Sequence, residues 1–169
     1  IRIPIVVHVI HDNASGKIGG PENGNISNEQ IYSQIKVLNE DYRRTNLDTS
    51  NTRSEFKDRA ADIGFEFFLA TIDPNGNPTS GITRTPTTLA SFSTGFFPNL
   101  DDLDKVKKTS TKGENAWDTE KYLNIWVCNT GGAILGYAYP PNAAPNWDAS
   151  AFQANDSLWG VVISHQVVG

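Results

Sequence analysis

The sequence predicts an α/β fold in which a long helix packs on one face of a twisted, mixed, five-stranded sheet. Three observations support this fold class. Five short runs have the β-branched and aromatic composition of strands, one longer segment has helical periodicity, and polar connections separate them. The 169 residues suit one domain, and their apolar fraction of 38% is sufficient for a core and too high for a disordered chain.

The five predicted strands differ in how buried they should be. Residues 1–10 (IRIPIVVHVI) are apolar on both parities, which is typical of a central strand covered on both faces. The other four runs are residues 64–72, 122–128, 133–139 and 158–163. Proline follows residues 133–139 directly, and proline beside a strand favours an edge position.

The helix is predicted over residues 27–46. Ser27 has the position of an N-cap, and Gln30 follows it at the spacing of a capping box. Ile31, Ile35, Leu38 and Tyr42 then form one apolar stripe, which should face the sheet. A shorter helical stretch is predicted at residues 53–61, and residues 79–115 form a long polar excursion with room for one short strand or helix.

Charge excludes some classes of partner. The formal net charge is −5, and the densest basic cluster is only Lys107 and Lys108, so nucleic acid is not expected as a partner. The longest uncharged stretch, residues 122–147, is rich in proline, glycine and asparagine, so no membrane span is expected. The chain starts in a strand-like run and carries no charge after Asp156, so both ends are expected to be cuts in a longer polypeptide.

Histidine offers little metal chemistry in this sequence. His8 and His11 lie three residues apart in a strand, so they should point to opposite faces and cannot chelate one ion together. His165 lies in Ser-His-Gln-Val-Val-Gly, which lacks the glutamate and the second histidine of H-E-x-x-H. All three are interpreted as structural residues.

The acidic residues and the cysteine also have structural interpretations. Asp101, Asp102 and Asp104 lack the ligand alternation and central glycine of a calcium loop, so a solvated charged face is expected. Cys128, the only cysteine, is interpreted as a buried small hydrophobic residue, and a bond to a cysteine outside the chain stays open. No G-x-S-x-G, phosphate-binding loop or G-x-G-x-x-G motif is present.

Seven segments together resemble a known family. In chain order they are IPIVVHVIH, ISNEQIYSQIKVLNEDYRR, AADIGFEFFLATIDPNG, GITRT, AWDTEKYLNIWVCN, GGAILGYAYPP and GVVI. Their order and spacing resemble the first half of the pappalysin family of metzincin metallopeptidases. The resemblance implies an upper subdomain, residues 1–169, that ends before the helix carrying H-E-x-x-H-x-x-G-x-x-H.

The resemblance implies a secreted parent enzyme that uses zinc to hydrolyse peptide bonds in proteins. The zinc ligands and the Met-turn of that family are missing here, since the chain has no methionine and no such motif. The 169-residue chain is therefore expected to be inactive alone and to need the missing C-terminal half as its partner. Calcium binding stays possible but has no support in these residues.

The resemblance also implies a substrate-binding segment. In metzincins the antiparallel edge strand of the upper sheet pairs its backbone with an extended peptide. The matching residues are Gly132, Ala133, Ile134, Leu135, Gly136, Tyr137 and Ala138. Gly132 and Gly136 are expected to let the substrate backbone approach closely.

Two other functions stay open on the sequence. The chain could be a non-catalytic peptide-binding module that keeps the edge strand without a zinc half. Alternatively, an unrelated α/β enzyme could carry its site in the excursion of residues 79–115. The order of strands in the sheet separates the second alternative, because metzincin order places one antiparallel strand at an edge.

Overall fold

A computed structural model of the chain describes residues 1–93, 99–131, 134–139 and 156–169. Within these residues the strands are β1 (Arg2–His11), β2 (Glu66–Leu69), β3 (Ile82–Pro86), β4 (Leu123–Cys128), β5 (Gly136–Tyr139) and β6 (Gly160–Ser164). The helices are α1 (Asn28–Tyr42) and the single turn α2 (Leu100–Leu103), together with several short 3-10 segments. None of the described helices is long and apolar enough to cross a bilayer.

The strands form one mixed sheet in the order β2-β1-β4-β6-β5, with β3 also paired to β1. All pairs are parallel except β5 with β6. The sheet has six strands because β2 and β3 share the position beside β1, β2 along its first half and β3 along its second. The predicted mixed sheet with one antiparallel edge strand is confirmed, and β3 is the additional strand within residues 79–115.

Strand β1 lies inside the sheet with strands on both sides, as its composition predicts. Its residues from Ile5 to His11 are all buried, because β2 and β3 flank one side, β4 flanks the other, and both faces are covered. A parallel strand in this position needs apolar side chains on both parities. The run of isoleucine and valine in residues 1–10 supplies them.

Helix α1 begins at the predicted cap and ends earlier than predicted. Ser27 Oγ accepts a hydrogen bond from the Gln30 N–H at 3.1 Å, and the Ser27 N–H donates to Gln30 Oε1 at 3.3 Å, which completes the capping box. The helix ends at Tyr42 rather than near residue 46. Arg44 has a positive φ of 52°, which right-handed helix does not allow.

The sheet separates two apolar clusters. The cluster under α1 contains Ile5, Val7, Val9, Ile26, Ile31, Phe67, Ile125, Val127 and Val168. The cluster on the opposite face contains Ile10, Phe92, Val106, Trp126, Cys128 and Val162. Because side chains alternate along β4, its residues contribute to both clusters. The described part of the excursion between β3 and β4 covers the second cluster, so this excursion is a structural layer of the domain.

Candidate functional site: the free edge of strand β5

Strand β5 lies at one edge of the sheet. It pairs antiparallel with β6, with Gly136 opposite Ile163 and Tyr139 opposite Gly160. Among the residues that the structure describes, no strand pairs with its other side. An unpaired strand edge presents backbone donors and acceptors that another extended chain can use.

The hydrogen-bond register identifies which backbone groups of β5 face outward. The Ser164 N–H donates to the Leu135 carbonyl at 2.8 Å, and these residues are directly opposite in the register. In an antiparallel ladder such hydrogen-bonded pairs alternate with non-bonded pairs. Tyr137 and Tyr139 therefore direct their N–H and C=O groups toward β6. Gly136 and Ala138 direct theirs away from the sheet.

The side chains of β5 alternate in the same way. Gly136 and Ala138 are exposed, whereas Tyr137 and Tyr139 are half-buried on the face opposite α1. A Cβ atom at Gly136 would lie 2.6 Å from the carbonyl oxygen of Val162. The close approach that requires glycine at this position is therefore to β6, which accounts for Gly136 without a substrate.

Four side chains, Asp104, Lys107, Tyr137 and Tyr139, form a buried polar group behind β5, here called the Asp104 anchor. Asp104 accepts hydrogen bonds from the hydroxyls of Tyr137 at 2.9 Å and Tyr139 at 2.8 Å. Its Oδ1 lies 3.4 Å from Nζ of Lys107, whose side chain is 0% exposed. The Lys107 ammonium also donates to the Leu158 carbonyl at 2.8 Å.

Aromatic rings surround the same ammonium. Lys107 Nζ lies 4.4 Å from the ring centre of Tyr139, 4.7 Å from that of Tyr137 and 5.4 Å from that of Trp126. Burial lowers the pKa of Lys107 to about 8, although the Asp104 carboxylate opposes this shift. Burial and the Asp104 charge both raise the pKa of Tyr137 and of Tyr139, so both hydroxyls remain donors.

The anchor corrects the expected role of the acidic cluster. Asp102 is exposed in part and pairs with Lys105 at 2.6 Å, as a solvated face requires. Asp104 is instead 7% exposed and bonds the edge strand. Lys107, one of the two residues of the densest basic cluster, is likewise buried. The 3-10 segment Asp104–Lys107 turns both side chains inward, which an isolated run of charges does not reveal.

The segment before β5 is described in part. Gly132 and Ala133, two of the predicted substrate-binding residues, lie outside the described residues. Thr130 is buried, and its hydroxyl donates to the Ile134 carbonyl at 2.6 Å. Leu135 is 62% exposed. Of the seven predicted residues, Gly136 and Ala138 have the outward backbone groups, and Tyr137 supports the strand from behind.

His8 is a satisfied structural histidine. The Asn124 amide nitrogen donates to the carbonyls of Trp117 and Tyr122, so its oxygen faces His8 at 3.0 Å. Nε2 of His8 must therefore donate, and Nδ1 accepts from the Thr83 hydroxyl at 2.8 Å. Burial lowers the pKa of His8, which keeps the ring neutral.

The other two histidines line a small pocket of about 110 Å³ at the carboxyl ends of β1, β4 and β6. His11 is 5% exposed, and no hydrogen-bond partner of its Nδ1 lies in the described part of the chain. Asp12, Glu22 and His165 also line the pocket. Even so, no three histidine, cysteine, aspartate or glutamate side chains among the described residues are grouped closely enough to hold a metal ion. The described residues therefore do not fit a zinc centre.

Cys128 is buried, and desolvation raises the pKa of its thiol to about 12. A protonated, inaccessible thiol is not a nucleophile. The interpretation of Cys128 as a small core residue agrees with this position.

The anchor is the feature of the candidate site that the sequence did not reveal. Asp104 is 33 residues from Tyr137 and 35 from Tyr139 in the chain, so no local pattern connects them. The alternation of Tyr137 and Tyr139 around Ala138 was a signal for one supported face of an edge strand. It did not identify the acid that supports them.

Comparisons with known proteins agree with this geometry. The chain is 45% identical to mature mirolysin of Tannerella forsythia, solved in complex with a cleaved peptide, with a TM-score of 0.79 over 100% of this chain and 54% of that chain. Mirolysin in complex with compound 9 gives 45% identity, a TM-score of 0.78 and the same two coverages. A mutant of T. forsythia promirolysin gives 45% identity and a TM-score of 0.79, over 100% of this chain and 48% of that chain.

The chain spans about half the length of these mirolysin structures. No protein-family model matches the sequence. The comparison with curated proteins gave no match. The strand order, the antiparallel edge strand and the agreement with mirolysin over the whole chain together establish a metzincin-like fold.

Proposed function

We propose that this chain is the N-terminal, peptide-binding subdomain of a secreted zinc metalloendopeptidase of the pappalysin type, and that it is inactive alone. The free edge of β5 carries this proposal. Gly136 and Ala138 each turn one backbone donor and one acceptor away from the sheet, which is the arrangement required for strand addition by an extended peptide. Mirolysin, a metzincin-type metallopeptidase, supports the same reading because it has been solved with a cleaved peptide.

In this proposal, peptide binding and zinc chemistry belong to different parts of the enzyme. Strand β5 would bind and orient the peptide backbone, and both Gly136, which has no side chain, and the small Ala138 are exposed. Zinc, when bound in the parent enzyme, would activate a bound water and polarise the carbonyl of the peptide bond to be cleaved. Its ligands would have to come from outside the described residues.

The first test compares two proteins. One protein is the 169-residue chain, and the other is the whole product of the open reading frame that encodes it. Each is assayed for cleavage of fluorescein-labelled casein, first untreated, then with 1,10-phenanthroline, and then with zinc added back. We expect zinc-dependent cleavage by the reading-frame product and none by the 169-residue chain. Cleavage by the 169-residue chain would contradict the proposal, as would a zinc-loaded reading-frame product that leaves casein intact.

The second test addresses the edge strand. Ala138→Pro removes an outward N–H without breaking a bond to β6, and edge strands tolerate proline in that orientation. Loss of one backbone hydrogen bond to the peptide should raise KM by about 2- to 10-fold at unchanged kcat. Ala138→Ser, which keeps the N–H at an exposed position, is the matched control. Equal KM values for the two variants would remove β5 from substrate binding.

A non-catalytic peptide-binding module is the second candidate. The described residues contain the complete free edge of β5 and no metal-ligand set, which favours this reading for the chain taken alone. Two results together would select the non-catalytic module. The reading frame would stop without H-E-x-x-H-x-x-G-x-x-H, and Ala138→Pro would weaken the binding of casein peptides.

A further inference from the structure

Strand β5 has few backbone contacts of its own. It contains four residues and pairs with β6 alone among the described strands. Short edge strands have low local stability and open readily. The position of β5 therefore depends on the contacts of its side chains. Within the Asp104 anchor, the Asp104 carboxylate bonds both tyrosines of the strand.

We infer that Asp104 and Lys107 are positioning residues for peptide binding, because this buried ion pair fixes the rotation of β5 about its own axis. The inference rests on the proposed function. In a strand, side-chain direction and backbone amide direction are linked residue by residue. Holding Tyr137 and Tyr139 behind the sheet therefore keeps the N–H and C=O groups of Gly136 and Ala138 directed outward.

The charged groups of the anchor fix the geometry of β5 and add little to the free energy of unfolding. A buried ion pair gains little over apolar packing, but its hydrogen bonds demand a defined geometry. One carboxylate accepts from both tyrosine hydroxyls, so two alternate positions of the strand are tied to the same side chain. An apolar residue at position 104 would pack against the rings without fixing their hydroxyls.

Lys107 ties the neighbouring strand to the same point. Its ammonium donates to the Leu158 carbonyl, two residues before β6 begins. The same ammonium lies over the rings of Tyr137 and Tyr139. The pair therefore holds β5 and the entry to β6 in one arrangement.

The first experiment measures the strand without any activity. Amide hydrogen exchange is followed by NMR in the 169-residue chain for wild type, Asp104→Asn and Asp102→Asn. Asp102 is the matched control because it is a neighbouring acid whose side chain is 43% exposed in its pair with Lys105. We expect Asp104→Asn to accelerate exchange at Tyr137 and Tyr139 by at least about tenfold, since bonds to a charged acceptor are lost.

Exchange at Trp126 in β4 reports on the rest of the sheet. It should stay within about twofold of wild type, because opening of an edge strand is a local event. Equal exchange at the tyrosines in Asp104→Asn and Asp102→Asn would overturn the inference. Equal acceleration at Trp126 and at the tyrosines would overturn it too, because the anchor would then act on the whole domain.

The double variant Tyr137→Phe/Tyr139→Phe is the second route to the same answer. It removes both hydroxyls and keeps both rings over Lys107, so it tests the hydrogen bonds while Asp104 is unchanged. We expect the same selective acceleration at positions 137 and 139. Wild-type exchange in this variant would contradict the inference.

The second experiment connects the anchor to peptide binding. In the reading-frame product, KM and kcat are measured with a fluorogenic ten-residue peptide chosen from the casein cleavage sites. Asp104→Asn should raise KM by at least about threefold at a kcat within about twofold, whereas Asp102→Asn should change neither. A fall in kcat at constant KM would overturn a positioning role in binding.

The two proposals fail in different ways. If Ala138→Pro raises KM and Asp104→Asn does not, the anchor inference is wrong and the peptide edge stands. If neither variant changes KM, the proposed use of β5 is wrong, and the anchor inference falls with it whatever the exchange rates show.

Discussion

The side chain of Asn39 in α1 hydrogen-bonds both backbone groups of Phe67 in β2. Asn39 Nδ2 donates to the Phe67 carbonyl at 2.8 Å, and the Phe67 N–H donates to Asn39 Oδ1 at 2.7 Å. The side-chain amide thus takes the place of a neighbouring strand's peptide group. Strand β2 is the edge of the sheet opposite β5. At Phe67, α1 thus occupies backbone groups of the kind that no described strand pairs with along the outer side of β5.

Asn39→Asp should destabilise the chain by about 1–3 kcal/mol at neutral pH, because the Phe67 carbonyl loses its donor and faces a carboxylate. Urea unfolding of the 169-residue chain measures this. Asn51→Asp is the control, since it makes the same chemical change at an exposed residue. Equal unfolding free energies for the two variants would contradict the role of Asn39.

The sequence predicted the parts of the fold that local patterns encode. The capping box at Ser27 and Gln30 and the doubly apolar run of β1 are in place. Strand β3 was not resolved from its polar surroundings because Ile-Thr-Arg-Thr-Pro has little apolar alternation. Its strand conformation depends on pairing with β1. The guanidinium of Arg84 also ties it to the Ile26 carbonyl at 2.8 Å and to the Asn28 side chain at 2.6 Å.

The candidate site was predictable only in its backbone. The family resemblance and the following proline indicated an antiparallel edge at residues 133–139, and β5 lies there. The residues that support it come from a 3-10 segment more than thirty positions earlier. Contacts between distant residues arise from tertiary packing, and no spacing rule in one sequence reveals them.

His8 should make the chain sensitive to mild acid. Because burial holds its pKa below 6.5 in the folded state, the unfolded chain binds the proton more readily. The contribution of His8 to the free energy of unfolding is therefore present above pH 6.5. It is lost as the pH falls below that value, by up to about 1.4 kcal/mol per pH unit. In His8→Gln the free energy of unfolding should fall less steeply between pH 6.5 and 5, as measured by urea titration.

His11 contributes to the same slope, since burial and the charge of Arg84 lower its pKa. The double variant His8→Gln/His11→Gln should therefore be flatter than His8→Gln alone. A slope in His8→Gln as steep as in wild type would show that His8 is not held neutral by folding.

Lys107 should act in the alkaline range with the same sign of proton balance as His8, since the unfolded chain again binds the proton more readily. Its folded pKa of about 8 lies below the ordinary 10.5, so the folded state releases the proton first. Wild type should therefore gain stability relative to Lys107→Met as pH rises from 8 toward 10, by up to about 1.4 kcal/mol per pH unit. The titratable groups that face the ammonium are Asp104, Tyr137 and Tyr139.

Lys105→Met provides the control for this measurement, because Lys105 is half-exposed in its pair with Asp102. Its stability difference from wild type should stay nearly constant between pH 7 and pH 9.5, since exposed pairs contribute at most about 1 kcal/mol. If the Lys107→Met difference is equally constant, Lys107 titrates normally and is not buried in solution.

Gly136→Ala separates a structural glycine from a substrate-binding one. The new Cβ would meet the Val162 carbonyl oxygen at 2.6 Å and the Ile163 Cα at 3.5 Å, and both are backbone atoms that a rotamer change cannot move. Strand β5 must then shift from β6, and overpacking of this kind costs about 1–3 kcal/mol. The loss should appear in urea unfolding of the 169-residue chain with no peptide present.

Ala138→Ser, two residues along the strand and exposed, should unfold like wild type. If Gly136→Ala unfolds like wild type and only weakens peptide binding in the reading-frame product, the glycine serves the ligand rather than β6, and the register of β5 against β6 would need revision.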